Sequence, residues 1–215
     1  MLLADENIKT KHIFIFILLL QISTYYFTRK YIMTREFYIK LLGDRLTMDM
    51  IDTQMKISAK FALWGYIFIP VIILFQITFH ALLIQFPLLL KLIDIPFKKL
   101  FRLSAFAILP FSLLNILKTY RIYQLPADNI SQKALAFTPF SINSIINPGF
   151  YDKNVYQFLG SFHLFWLIWL FILYRGLSIT KKVNKIDSVL YPLCIFLFII
   201  LLKYGLSSYL TKILG

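Results

Sequence analysis

The chain has 215 residues, of which 59% are hydrophobic, and its formal net charge is +13. Soluble domains average about 45–50% apolar residues, so this composition excludes an ordinary soluble domain and indicates a membrane protein. The polar stretches reach only about 30 residues, too few for a separate soluble core, and we expect a single membrane domain over residues 1–215.

The positive charge does not indicate nucleic-acid binding. The basic residues lie in loops and at the ends of apolar blocks, where anionic lipid headgroups account for the same charge. Membrane lipids are therefore expected partners, and nucleic acid is not. The only cysteine, Cys194, lies inside an apolar block, which excludes an intramolecular disulfide and a cysteine-based metal site.

Five apolar blocks meet or approach the roughly 20 helical residues that cross a bilayer core of about 30 Å. We predict an all-α, polytopic membrane helical bundle with about five transmembrane helices. The predicted spans are residues 12–27, 61–85, 101–118, 155–174 and 188–210. The first block has a basic flank like a signal peptide, but no small-residue cleavage site follows it, so we expect a retained helix.

The polar region 28–60 is predicted to hold a short amphipathic helix at the membrane surface. Gly43 breaks the region, and Thr47 is placed to cap the helix that follows. Met48, Ile51 and Met55 then share one helix face. We expect this helix to continue into the second span.

The second apolar block is too long for a simple crossing. It runs from Phe61 to about Ile93, or about 50 Å as one helix. Pro70 and Pro87 can kink or end a helix, so we predict a span over 61–85 and an interfacial tail before Asp94. The loop 119–154 is punctuated by Pro and Asn and is predicted to lie against the membrane surface with a short helix.

Two short basic connectors decide the predicted topology. Five spans place the termini on opposite sides, and basic connectors favour the cytoplasm. We therefore predict a cytoplasmic N-terminus, with Lys9 and Lys11, and a cytoplasmic connector 175–187 that holds the last hairpin in register. The connector residues are Lys91, Lys98, Lys99 and Arg102 in the first, and Arg175, Lys181, Lys182 and Lys185 in the second.

Two segments, 96–117 and 158–185, resemble the Yip-type (Rab-interacting) five-helix membrane proteins. The first is similar to the family's second connector and third span, which has a central proline, and the second to its fourth span. The matching residues are Phe97, Lys98, Ala105, Leu109 and Pro110 in the first segment, and Leu159, Phe162, Leu164, Phe165, Ile168, Trp169 and Gly176 in the second.

The resemblance implies a five-helix domain with a cytoplasmic N-terminus. Eukaryotic relatives bind prenylated Rab GTPases and organise vesicle membranes, and they carry a longer cytoplasmic N-terminal segment, which this chain lacks. Some bacterial relatives accompany ABC-type exporters as accessory subunits. The composition, rich in Ile, Lys, Phe and Asn, suits the bacterial branch and an inner (plasma) membrane.

Polar residues inside the apolar blocks are the candidate intramembrane site. Such residues normally face the bundle interior, where they either line a substrate or proton path or form interhelical hydrogen bonds. Lys203 lies about 15 residues into the last span, where its side chain can snorkel towards the headgroups. The candidates are Gln76, His80, Asn115, His163 and Lys203, with Gln85 also in a block.

Trp166 and Trp169 are candidates for packing. They lie three residues apart on one face of a block without charges, which suits contact with another helix or with a partner protein. Trp64 lies in a different block, and we expect it to have a different role.

The sequence favours a protein that is not an enzyme and that holds no cofactor or metal. It has no phosphate-binding loop, no nucleophile elbow and no HExxH motif, and its three histidines are scattered. Met48, Met50 and Met55 could bind Cu(I), but packing is the usual role of methionine. The first hypothesis is an integral membrane scaffold or accessory subunit of a larger complex, and the alternative is a small transporter or channel for a small molecule or peptide.

Overall fold

The computed structural model describes residues 10–43, 46–126, 129–130, 132–147, 150–151 and 153–214. Lys9 lies outside these residues. The described chain is built from helices and contains no strand beyond one isolated bridge. The helices are α1 (Thr10–Phe27), α2 (Arg35–Leu42), α3 (Met48–Leu90), α4 (Phe97–Gln124), α5 (Gln132–Ala136), α6 (Lys153–Leu159), α7 (Leu164–Ile179) and α8 (Lys185–Leu214), with a π-helical turn at Thr28–Ile32 and a 3₁₀ turn at Ile142–Ser144.

Four of these helices are long and apolar enough to cross a membrane, and they identify the chain as a membrane protein. They cover Thr10–Ile32, Met48–Leu90, Phe97–Gln124 and Lys185–Leu206. Four of the five predicted spans, 12–27, 61–85, 101–118 and 188–210, lie within the helices α1, α3, α4 and α8. The prediction of an all-α membrane bundle is confirmed.

The predicted fourth span, 155–174, is wrong as a single helix. The chain turns at Gly160–His163, and α7 has only 16 residues, about 24 Å of helix. The turn pairs with an earlier loop: Ile142 donates to the carbonyl of Phe162 at 3.1 Å, and Leu164 donates to that of Phe140 at 2.9 Å. These bonds satisfy the backbone at the break, which an apolar environment requires.

The second span also differs from its predicted bounds. α3 is one helix of 43 residues that passes through Pro70 and Pro87 and ends at Leu90, not at residue 85. Its end is a Schellman motif, in which Ile93 donates to the carbonyl of Leu88 and Leu92 donates to that of Leu89. A proline near a helix end removes few backbone bonds, so Pro87 is accommodated.

A separate short helix that the sequence did not predict, α2, lies between the first two spans. Its Phe37 and Tyr38 are buried, and Thr34 caps it by accepting a bond from the Phe37 N–H at 3.4 Å. The helix that follows Gly43 does continue into the membrane, as α3. Thr47 precedes it in extended conformation, but its side chain forms no capping bond.

The helices form a bundle with two distinct ends. α1, α4 and α8 run in one direction and α3 and α7 in the other, so residues 10 and 214 lie at opposite ends of the bundle. We call the end formed by residues 91–96 and 180–184 the connector end. The opposite end is the lobe end, because α2 and the start of α3 form a small lobe there around Ile32, Phe37, Tyr38 and Ile51.

Two apolar clusters hold the bundle together. α3, α4, α7 and α8 meet around Trp169, Leu173 and Leu177, which are fully buried. α1 packs against α3 and α4 through Ile17, Ile77 and their neighbours. Every span therefore has at least one helical neighbour inside the chain.

Aromatic residues mark the edge of the membrane at the lobe end. Tyr25 contacts Tyr66 edge-on at 4.8 Å, and Phe27 contacts Tyr123 at 5.2 Å. Tyrosine and tryptophan are enriched where spans meet the headgroups. The hydrocarbon core therefore lies between this belt and the connector end.

Candidate functional site

The two connectors predicted from sequence meet at the connector end. Lys91 donates to both carboxylate oxygens of Asp187, at 2.8 and 2.7 Å, and Lys182 donates to the carbonyl of Asp94 at 2.5 Å. The carboxylate of Asp187 and the backbone of Asp94 therefore each bond to a lysine of the other connector. The first and second connectors are joined by direct bonds.

The charge at this end is strongly positive. Among the described residues, only Asp94 and Asp187 are acidic there. Arg175 lies on α7 and is exposed, Lys185 begins α8 and is exposed, and Lys181 lies between the two helices. The basic residues at this end are Lys11, Lys91, Lys98, Lys99, Arg102, Arg175, Lys181, Lys182 and Lys185. The surface can therefore attract anionic headgroups.

Asp187 is placed by the start of α8. Asn184 accepts a bond on its side-chain oxygen from the Asp187 N–H at 2.6 Å, which caps the helix. The carboxylate of Asp187 is only 8% exposed, and it lies at the positive end of the α8 dipole. The hydrogen bonds that Lys91 donates to this carboxylate raise the pKa of Lys91 above its usual value, so the lysine stays charged at neutral pH.

Asn115 belongs to a polar cluster between α1 and α4. It donates to the side-chain oxygen of Gln21 at 3.5 Å, and Gln21 donates to Ser112 at 3.2 Å. The sequence analysis did not single out Gln21 or Ser112. The signal was present, because Gln21 interrupts a run of apolar residues in the first block. The cluster joins two helices, which is the interhelical hydrogen-bonding role.

Gln76 and His80 lie together on α3. The His80 Nδ1 lies 2.8 Å from the backbone carbonyl of Gln76, one turn earlier. The Gln76 side chain is exposed. The His80 ring packs edge-on against Trp169, with centroids 6.0 Å apart, so these two residues engage their own helix and the bundle core.

His163 and Trp166 line a groove of about 650 Å³ where the loop 140–145 meets α7 and α8. The His163 ring stacks on Trp166 at 6.0 Å, and its Nδ1 has no hydrogen-bond partner. His80 and His163 therefore pack on different tryptophans. Within the described residues, no group of three or more His, Cys, Asp or Glu side chains could hold a metal ion.

Lys203 lies beside this groove on α8. Its Nζ donates to the Ser161 hydroxyl at 3.3 Å. It is 18 residues from Lys185, about 27 Å along the helix, which places it near the far edge of a bilayer core of about 30 Å. This depth fits the predicted snorkelling position.

The two tryptophans of α7 have different environments. Trp169 is 0% exposed, so it packs helix against helix within this chain, and the assignment of Trp169 as a partner contact is corrected. Trp166 is half-buried and contacts Phe111 at 4.7 Å and Phe196 at 5.1 Å. Trp64, on α3, is 55% exposed and is the tryptophan whose surface is most open.

Five of the exposed apolar side chains of α3 share one face of the helix. They recur at spacings of four and seven residues, which keeps them on that face. Together they cover 23 residues, a rise of about 33 Å, or the depth of a bilayer core. They are Trp64, Phe68, Phe75, Leu82 and Phe86, each more than half exposed. We call these five residues the α3 stripe.

No protein-family model matches this chain, and neither a curated protein nor a solved structure shows significant similarity to it.

Proposed function

We propose that the chain is a non-enzymatic integral membrane scaffold or accessory subunit of a larger membrane complex. Its partner would be another integral membrane protein, in a hetero- or homo-oligomer. The resemblance to Yip-type proteins makes an ABC-type exporter of the bacterial inner membrane the first partner to test.

The main support for the proposal is that the polar side chains within the bundle bond to one another or to their own helix. Gln21, Ser112 and Asn115 bond to one another between α1 and α4. His80 bonds within α3 and packs on the buried Trp169. Polar groups that bond between helices act as structural contacts, and none of these forms a continuous polar path. The described spans contain no carboxylate near mid-membrane, which a proton-coupled carrier would need.

The α3 stripe provides the surface for a partner helix. Its length matches a transmembrane crossing, and four of its five side chains are aromatic, the type that dominates interface energetics. Lys60 and Lys91 lie beyond its two ends, so the stripe itself is free of charge. A partner helix that packs along it would meet apolar side chains throughout the membrane.

The test is co-purification in mild detergent from the native membrane, with the subunits identified and their ratio measured. We expect a defined heteromer or homomer. Phe75→Ala together with Phe86→Ala should lower the recovery of the partner about tenfold or more, since buried aromatic anchors contribute about 2 kcal/mol each.

The matched control is Leu197→Ala with Leu201→Ala, two exposed apolar residues on α8. This pair should leave recovery of the partner unchanged. If the purified chain has no partner of fixed ratio, or if both pairs of substitutions act equally, the scaffold proposal fails.

The alternative, a small transporter or channel, is favoured by the groove beside His163. Purified chain in vesicles would then conduct or transport a small molecule or peptide alone, and His163→Phe would reduce the flux. Trp169, with no exposed surface, packs behind Trp166 at 5.2 Å. A channel that continued past Trp166 would have to displace Trp169.

A further inference from the structure

The groove beside His163 has an aromatic floor. The Trp166 ring lies 4.7 Å from that of Phe111 on α4 and 5.1 Å from that of Phe196 on α8. Phe140, Ile142 and Leu167 complete its walls. Its volume of about 650 Å³ lies within the range of about 300–1,000 Å³ that is usual for small-molecule sites. The groove therefore fits a largely apolar ligand.

Two lysines lie above this floor, on the side of the lobe end. Lys118 follows Phe111 by seven residues on α4, and Lys203 follows Phe196 by seven residues on α8. Seven residues are two helical turns, about 10 Å, and keep the side chains on one face. Lys203 bonds to Ser161, two residues before His163. Both helices therefore place a cation at the same depth over the groove.

Among the residues that the structure describes, no acidic side chain pairs with Lys118 or Lys203. Lys118 and Lys203 lie close enough for their charges to interact unfavourably. The ion pairs of Arg35 with Asp52 and of Lys91 with Asp187 do not involve these lysines. Like charges at the edge of an apolar medium are unfavourable unless an anion joins them.

We propose that the groove binds one anionic phospholipid, with its phosphate between Lys118 and Lys203 and an acyl chain against Trp166 and Phe196. The depth of Lys203, about 27 Å from Lys185, is that of a headgroup at the far edge of the core. The apolar floor distinguishes a lipid from free phosphate, because free phosphate has no group that could occupy it. The site is separate from the α3 stripe.

Trp166 supplies the readout. The protein with Trp64→Phe, which removes the exposed tryptophan of α3, is reconstituted in phosphatidylcholine vesicles. A small fraction of the lipid is then replaced by phosphatidylglycerol or phosphatidylcholine with brominated acyl chains. Bromine quenches tryptophan on contact, while Trp169 stays buried. Half-maximal quenching should need about a tenfold lower mole fraction of brominated phosphatidylglycerol than of brominated phosphatidylcholine.

In the double variant Lys118→Gln, Lys203→Gln, the two brominated lipids should quench Trp166 at equal mole fractions. The double variant Lys118→Arg, Lys203→Arg should keep the preference for brominated phosphatidylglycerol. Lys98→Gln with Lys99→Gln, two exposed lysines at the connector end, is the matched control and should keep it too. Helical circular dichroism and a single elution peak show that each variant folds.

Three results would overturn the proposal. The first is equal quenching by the two lipids in the parent protein, which needs no lysine variant. The second is a preference that survives in a folded double-glutamine variant. The third is loss of the preference when inorganic phosphate is added, which would assign the cations to a free anion.

Discussion

Lys91 and Asp187 join the end of α3 to the start of α8, although 96 residues separate them in the chain. The lysine follows the last residue of its helix, and the carboxylate is in the first turn of the other. The ion pair therefore fixes the relative position of two spans at the connector end.

We expect Lys91→Gln to lower the thermal midpoint of the protein in detergent, because it leaves the nearly buried carboxylate of Asp187 without its cation. Lys98→Gln, at an exposed position, should have a smaller effect. The pKa of Lys91 is raised by its hydrogen bonds to Asp187. Its stabilisation should therefore be complete below pH 10.5 and be lost as the pH rises through the raised value. The difference between parent and variant should be present at pH 7 and shrink at pH 11, and a difference that grows there would contradict the ion pair.

Two helix ends would be improved by glycine. Leu92, after α3, and Lys181, after α7, have φ near 55°, a left-handed conformation that costs a non-glycine residue about 1–2 kcal/mol. Leu92 is 93% exposed, so its side chain contributes little. Leu92→Gly and Lys181→Gly should each raise stability by about 0.5–1 kcal/mol in reversible unfolding. Lys182→Gly, outside the left-handed region, should not raise it.

The three tryptophans should differ in their effect on stability. Trp169→Ala leaves a cavity where four helices meet and should cost about 3 kcal/mol or more. Trp64→Ala removes an exposed side chain and should cost less than about 0.5 kcal/mol. Thermal unfolding of the purified variants measures both. Equal losses would contradict the placement of Trp169 in the core.

The orientation can be tested with single cysteines in a Cys194→Ser background. Lys185→Cys lies at the connector end and Gln54→Cys at the lobe end, and both positions are exposed. We expect a membrane-impermeant thiol reagent to label Gln54→Cys in intact cells and to label Lys185→Cys only after lysis, since basic connectors favour the cytoplasm. The reverse pattern would invert the orientation, and labelling of both from one side would contradict opposite ends.

Local patterns were sufficient for most helices but not for the break before α7. The apolar blocks predicted α1, α4 and α8, and Met48, Ile51 and Met55 predicted that α3 begins before the membrane. The turn at Gly160–His163 depends on backbone bonds to residues 140–142, and a pairing of this kind has no local sequence signal. The pairing of Asp187 with Lys91 could not be predicted for the same reason, because the two residues are 96 positions apart.

The candidate site was predicted residue by residue but not as an arrangement. The blocks identified Asn115, His163 and Lys203, since polar residues stand out in apolar surroundings. Asn115 faces Gln21, and Lys203 lies over the groove of His163, because of how each helix is rotated and shifted in the bundle. The rotation and shift of a helix depend on its contacts with neighbouring helices, so the identity of a single residue does not predict them.

α3 connects the two sides of the membrane as a single rod of about 64 Å with no loop along its 43 residues. At its start, Arg35 pairs with Asp52 at 2.9 Å, and Arg29 bonds to Ser58 at 2.6 Å. These bonds hold the lobe against the first turns of α3. At its other end, Lys91 ties it to α8. Both ends of α3 are therefore held by side-chain bonds to other parts of the chain, to residues 29–35 at the lobe end and to α8 at the connector end.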